Sequence, residues 1–265
     1  RSLLSKYNIK MNKVYVQDNY VVVEDEKGIH HFPKNNSEFE EWLDHFSLSK
    51  ITGRSNSREF KFDSISSWFN LDNVTILGGF SFLSGNDSTD SFYNCDFIYS
   101  DINGILFDKS GKEVYLENCT AYRNLDDGFD YDSDTIAIEV NCVAFENGYG
   151  ASTGINNGST AHSDAIVLRI NGIYHSNEGP NVHDVNNAKS LNIDCIAYNS
   201  TSTIAGNKSD FACGTSTDAT QMWLDGCATK TDDSFGAEIR STNADIYVRN
   251  SIIKNVESGT TLTSY

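Results

Sequence analysis

Polar and apolar positions along this chain recur as a strand pattern. The segments FYNCDFIYS, VYLENCTAYRN, IEVNCVAFEN, LRINGIYHSN, LNIDCIAYNS, MWLDGCATK and IYVRNSIIKN align on one position, held by Cys95, Cys119, Cys142, Gly172, Cys195, Cys227 and Ser251. The steps between these anchors are 24, 23, 30, 23, 32 and 24 residues. Apolar residues alternate ahead of the anchor, as in Ile136, Ile138, Val140, Cys142 and then Ala144, which is the two-residue period of a strand with one buried face. A coil of about 23 residues cannot bury that face alone, but coils stacked about 4.8 Å apart share one core and satisfy one another's backbone. The pattern therefore predicts an all-β fold, a single-stranded parallel β-helix over residues 60–265, with the anchors as a buried column.

In the Cys119, Cys227 and Ser251 rungs the apolar residues lie one place further from the anchor, and a one-residue bulge is expected there. Asn94, Asn118, Asn141, Asn171, Asp194 and Asn250 each precede an anchor and read as tight or left-handed corners. The two longer rungs carry extra residues around 148–161 and 200–209, expected as loops on one side that wall a groove. LDNVTILGGFSFL, from Leu71 to Leu83, reads as an earlier rung.

Residues 1–59 differ. Lys13 to Val23 and Gly28 to Phe32 suggest a β-hairpin, and SEFEEWLDHF, Ser37 to Phe46, has the Ser cap, early acids and apolar spacing of a short helix. Such a helix would cover the open end of the stack. VESGTTLTSY at the other end offers no comparable cap, so either a longer chain or a homotrimer whose partners protect that end is expected.

Charge narrows the partners. With 37 acidic against 20 basic residues the formal charge is −17, so nucleic acid is disfavoured. An acidic polymer would need a bound cation or a local basic patch. No apolar run is long enough to cross a membrane, and the first residues carry no signal-peptide pattern. Six cysteines form no CxxC pair, and five of them stand in the anchor column, which makes them core residues rather than disulfides or metal ligands.

The densest chemistry is LDDGFDYDSD, with Asp126, Asp127, Asp130, Asp132 and Asp134. Carboxylates this close repel unless solvated, protonated or neutralised, and hard oxygen ligands suit calcium. The alternative is a turn followed by outward, solvated strand positions. An EF-hand is excluded, because Thr135 and Asn141 occupy the places that need Gly and Glu. ENCTAYRNLDDGFD resembles the rung motif of the calcium-dependent family-nine pectate lyases, right-handed parallel β-helices. That resemblance implies Asp126, Asp127 and Asp130 as Ca2+ ligands, with Asn103 at the family's further aspartate. It also implies a lysine base, yet residues 145–185 contain no Lys.

Other groups must then supply the base. STAHSDA offers His162 and Asp164, and EGPNVHDV offers His183 and Asp184. Counting back twelve residues from the next anchor gives Asp130 in one rung and His183 two rungs later, with His162 and Asp164 in the rung between, about 10 Å in all. A neutral His could abstract a proton next to a carbonyl-bearing carbon. Paired carboxylates, Asp130 or Asp127 against Asp164 or Asp184, could instead hydrolyse a glycoside. Arg169 matches Glu139 one rung below, which predicts a surface ion pair and, secondarily, a grip on a uronate. Tyr149, in an inserted loop, is a candidate to stack on a sugar. His175 reads as structural.

The solenoid with a small leader and Asn- and Ser-rich turns also resembles phage tailspike and depolymerase proteins, which implies a trimer at an extracellular or virion surface. The expected function is degradation of an acidic polysaccharide, by a lyase before a hydrolase, with an epimerase or a non-catalytic carbohydrate-binding spike as alternatives.

Overall fold

The computed structural model describes residues 11–17, 20–25, 28–33, 59–62, 70–73, 75–77, 79–82, 89–98, 100, 102–108, 113–148, 156–203, 208–215, 217–230 and 234–265. Over these residues the chain is an all-β parallel β-helix. Three parallel sheets of eight, nine and seven strands run along the stack. Each rung gives one strand to each sheet in turn, as Phe129–Asp132, Ile136–Val140 and Val143–Phe145 do. Every third strand therefore pairs, and the βαβ-like crossovers of ordinary parallel sheets become single turns of the coil.

Ahead of the coil, Met11–Gln17, Tyr20–Asp25 and Gly28–Pro33 form a three-stranded antiparallel sheet. The expected run from Lys13 to Val23 is thus two strands rather than one. The expected helix from Ser37 to Phe46 lies outside the described residues.

The corners follow the sequence. Asn73, Asn94, Asn118, Asn141, Asn171, Asp194 and Asn250 all have φ between 52° and 58°, the left-handed conformation that short polar side chains tolerate. Their amides also bond along the stack, with Asn118 Nδ2 donating to Asn94 Oδ1 at 3.2 Å and Asn141 Nδ2 to Asn118 Oδ1 at 3.1 Å. All six cysteines are buried free thiols. At the one glycine anchor, Tyr174 explains the exchange. It replaces the Ala144 and Ala197 of adjacent rungs, and its ring folds back over Gly172, where a Cβ would collide with it.

The expected bulges are absent. Glu113–Glu117 pairs with Ile136–Val140 residue for residue, and Gln221–Asp225 with Lys189–Ile193 and Asp245–Arg249 likewise. The phase differs for another reason. A left-handed residue before the anchor inverts the alternation, so the inward set in the Cys142 rung is Ala137, Glu139, Cys142 and Ala144. Ile136, Ile138 and Val140, expected in the core, face outward, and Ile136 is 47% exposed. The Cys119 rung keeps Val114 and Leu116 inside, whereas the next three rungs place Glu139, Arg169 and Asn192 there.

The polar interior is closed on itself. Arg169 is fully buried, with Nη2 3.0 Å from Asp184 Oδ1 and Nε 3.6 Å from Glu139 Oε1. Tyr174 and Ser159 hydroxyls donate to the two Glu139 oxygens, each at 2.6 Å, and Ser190 Oγ donates to Asp184. Burial disfavours the charged guanidinium, but the Asp184 and Glu139 carboxylates outweigh it and hold the group above the usual arginine range. The expected surface ion pair of Arg169 and Glu139 therefore exists in the core.

A second polar line occupies the corner between the seven- and eight-stranded sheets. Asn124 donates to Asn147, Asn147 to Asn177, Asn177 to Asn181 and Asn181 to Asp210, each at 2.9 Å through the side chains. These buried amides also bond the neighbouring backbone, so the corner leaves few polar groups unsatisfied.

Candidate functional site

The outer face of the eight-stranded sheet collects the candidate residues. On the strand Phe129–Asp132, Phe129 and Tyr131 point into the core, which turns Asp130 outward. Strand register continues that column as Asp130, Thr160, His183, Ala212 and Glu238. The twelve-residue count taken from Gly172 lands on Thr160, so this member of the column is legible in the repeat.

Asp126 and Asp127 lie in the turn that enters the same strand. The glycine after them serves close approach. A Cβ on Gly128 would come within 2.5 Å of the Gly158 carbonyl, and one on Gly104 within 2.6 Å of the Gly128 carbonyl. A column of glycines thus lets the turn backbones stack and sets the two aspartates at the sheet edge. Both longer rungs carry their extra residues in this corner segment of the sequence, between Phe145 and Ser159 and between Tyr198 and Ser209, and the expected loops fall largely on 149–155 and 204–207, outside the described residues.

Asp127, Asp130 and His162 converge, each offering a ligand atom within 4.8 Å of the others. His162 Nε2 lies 3.4 Å from Asp130 Oδ1. Asn103 links the Asp130 carboxylate to the Asp127 backbone, its Nδ2 donating to Asp130 Oδ2 at 2.9 Å and its Oδ1 accepting the Asp127 N–H at 3.0 Å. The Asn157 N–H donates to Asp127 Oδ1 at 2.5 Å. Burial, reinforced by Asp130 and Asp126, pushes the Asp127 carboxyl well above the usual carboxylate range, and burial raises Asp126 as well.

His183 stands two strands further along the column. Burial first, then the charges of Arg240 and His162, hold its pKa well below the ordinary histidine range. Its Nε2 and the Thr160 hydroxyl are buried without a hydrogen-bond partner among the described residues. Arg240, which sequence reasoning missed, is held by Glu238 at 2.7 Å, while its Nε has no such partner. Its signal was the alternation in FGAEIR, which puts Glu238 and Arg240 two apart.

Other expected site residues lie elsewhere. Asp184 alternates with His183 and points inward to Arg169, so it cannot serve as an acid or base for an external substrate. Arg169 is equally removed from any uronate. Asp164 occupies an exposed turn at φ 68°, beyond His162 and off the column. Tyr149 lies outside the described residues. His175 is stacked between Phe145 and Tyr198, with ring centroids 5.1 and 4.8 Å away.

No family model matches this chain, and no curated protein does. Among solved structures it is similar to one described as the crystal structure of pectate lyase Pel9A. The TM-score is 0.49 at 14% identity, covering 78% of this chain and 66% of that one. The chain thus spans just under two thirds of that protein's length, and the fold assignment above rests on the strand ladders themselves.

The Asp and His cluster could hold a metal ion. Calcium takes about six to eight oxygens. Here two carboxylates converge with an imidazole nitrogen, and the Asn103 amide at the place of a further aspartate is already committed to Asp130 and the Asp127 N–H. The converging donors do not fit calcium, because they include nitrogen and are short of free oxygen.

Proposed function

We propose that this protein cleaves an acidic polysaccharide by β-elimination on the outer face of the eight-stranded sheet. The observation that carries the reading is His183, a buried neutral imidazole whose Nε2 lacks a partner, in one column with Asp130 and Thr160. A buried nitrogen without a partner costs free energy that a ligand contact would recover. Neutral imidazole is also the form that accepts a proton.

In this reading His183 Nε2 takes the proton from the carbon next to a uronate carboxylate. The C–H electron pair becomes the C4–C5 double bond as the C4–O bond breaks, and the departing oxygen takes a proton from solvent. Arg240 replaces Arg169 as the group facing the substrate carboxylate. The column spans about 19 Å from Asp130 to Glu238, four strand spacings, long enough for several sugar units. Extracellular or virion-surface action and trimeric assembly belong to the same proposal, on the tailspike resemblance. Calcium, which the lyase resemblance implies, enters no step.

Incubation with uronic-acid polymers tests this through the ultraviolet absorbance of the unsaturated product. Activity is expected, and His183→Ala should lower it by about 10²- to 10⁴-fold. Unchanged turnover in that variant overturns the base assignment. Reducing ends released without the absorbance identify a hydrolase, and no release with any polymer leaves the binding spike.

A further inference from the structure

We infer that Asp127, Asp130 and His162 bind a borderline divalent cation, of the zinc or cobalt class, in preference to calcium. The site lies on the face assigned above to polysaccharide cleavage, but the inference concerns metal choice alone and does not need the elimination to be correct.

Geometry supplies the first argument. The three side chains come from separate places, a turn, a strand and the residue just past the next strand, yet their ligand atoms lie within 4.8 Å. Asp127 and Asp130 are buried, at 5% and 8% exposure, whereas His162 is partly open to solvent. One oxygen of each carboxylate is already fixed, Asp127 Oδ1 by the Asn157 N–H and Asp130 Oδ2 by the Asn103 amide. These are the outer contacts that orient metal ligands. Asp130 Oδ1 is then the oxygen facing His162 Nε2, 3.4 Å away. Ligands about 2.1 Å from a tetrahedral ion stand about 3.4 Å apart.

A second observation is independent of the acids. The Thr160 hydroxyl is fully buried, has no partner among the described residues, and sits in register beside Asp130 on the same outer face. It is a buried polar group in the column next to the cluster with nothing among the described residues to satisfy it. A cation carrying water or hydroxide would give it one.

Ligand chemistry decides the ion. Imidazole suits zinc, cobalt and their neighbours, while calcium is held by oxygen throughout. The Asn103 amide nitrogen points at Asp130, so the position that would add a carboxylate oxygen instead adds a donor N–H. Two carboxylates, one imidazole and open positions for water match the mixed donor sets of borderline ions. The six thiols are buried and do not compete for the metal in the folded chain.

The test is calorimetric titration of the full chain, stripped with chelator, using Zn2+, Co2+ and Ca2+ separately, with the visible spectrum of the Co2+ form as a second readout. One equivalent of Zn2+ or Co2+ is expected to bind at least about tenfold more tightly than Ca2+, with His162→Asn removing about 10- to 100-fold of that affinity. Asp127→Asn should abolish the site, and His175→Asn should leave it unchanged. Thermal unfolding of each variant confirms that it folds, and His162→Gln provides a second removal of the ligand nitrogen. Equal or tighter Ca2+ binding overturns the inference, as does unchanged Zn2+ affinity in both His162 variants, or binding of no ion. Zinc selectivity without unsaturated product would sink the lyase reading only. Product formation with calcium selectivity would sink only this one.

Discussion

Two stretches of the same coil solve the interior differently. Around the Cys95 and Cys119 anchors the core is aromatic and aliphatic, with Phe92, Phe97, Phe107, Val114 and Leu116 packed against one another. The Phe92 ring meets those of Phe97 and Phe107 edge-on at 5.8 and 6.0 Å. From Cys142 to Cys195 the equivalent places hold Glu139, Arg169, Ser190 and Asn192 beside Ala137 and Val167, and the larger aliphatic residues Ile136 and Ile166 of the nine-stranded sheet face outward. The backbone register is the same in both. What differs is where the corner-inverted alternation places a nearly identical apolar spacing. The strand ladder and the left-handed corners set the stack, and the interior accommodates either chemistry provided its polar groups are paired.

The two stretches also differ in what they carry. Ser159 and Asp184, members of the buried network, are chain neighbours of Thr160 and His183 on the outer column. A hydrogen-bonded interior thus lies directly under the candidate site, and an aliphatic one lies below the first rungs.

Breaking the polar interior should have the largest effect. Arg169→Met leaves Glu139 and Asp184 buried without their cation and should cost about 3–5 kcal/mol, measured from urea unfolding midpoints. Replacing the cluster together by apolar residues of similar volume should recover most of that loss, and failure to do so would mean the network sets the fold itself. Next comes Leu116→Ala, expected to cost about 2–4 kcal/mol for the cavity it leaves. The contrast is Ile166→Thr in the neighbouring stretch, which should stay within about 0.5 kcal/mol because Ile166 is half exposed. Similar costs at the two sites would overturn the assigned phase.

The last effect is a pH dependence, confined to acid. His183 stays neutral in the folded chain while the unfolded ring protonates near pH 6.5. Its contribution is therefore complete above that pH and is lost as pH falls below it, at about 1.4 kcal/mol per unit until the lowered folded pKa is reached. His183→Gln should show a flatter profile in that window, read from thermal midpoints at a series of pH values. Identical profiles would show that the ring is not buried in its neutral form.

The β-helix was legible because the rungs repeat their anchor and, in most, a corner asparagine, and Asn141 or Asn171 announces a left-handed turn through a side chain suited to it. The phase was not. Reading Ile136 through Ala144 as one alternating run assumes extended backbone at every residue, and φ of 53° at Asn141 breaks that assumption. Arg169 escaped for a related reason, since an isolated buried charge is so costly that the surface is its default place. Only its two carboxylates and the surrounding hydroxyls make the interior tenable. Of the candidate site, Asp127, Asp130, His162 and His183 were within reach of counting along the repeat. Arg240 was not, because its proximity to His183 depends on two further rungs.

The line of amides from Asn124 to Asp210 has a direction. Every side chain donates the same way, so their dipoles add head to tail and finish on a carboxylate, much as a helix presents its positive end to an anion. This makes the corner a modular cassette with a defined terminus. A duplicated rung inserted between Asn147 and Asn177 would carry its own asparagine and preserve the polarity of the line, which ends at Asp210, where the Ser234 hydroxyl of the next rung donates into the same carboxylate at 3.1 Å. The stack is therefore extensible from within, and the stretch of this corner between Asn147 and Asn177 tells a designer where to lengthen it.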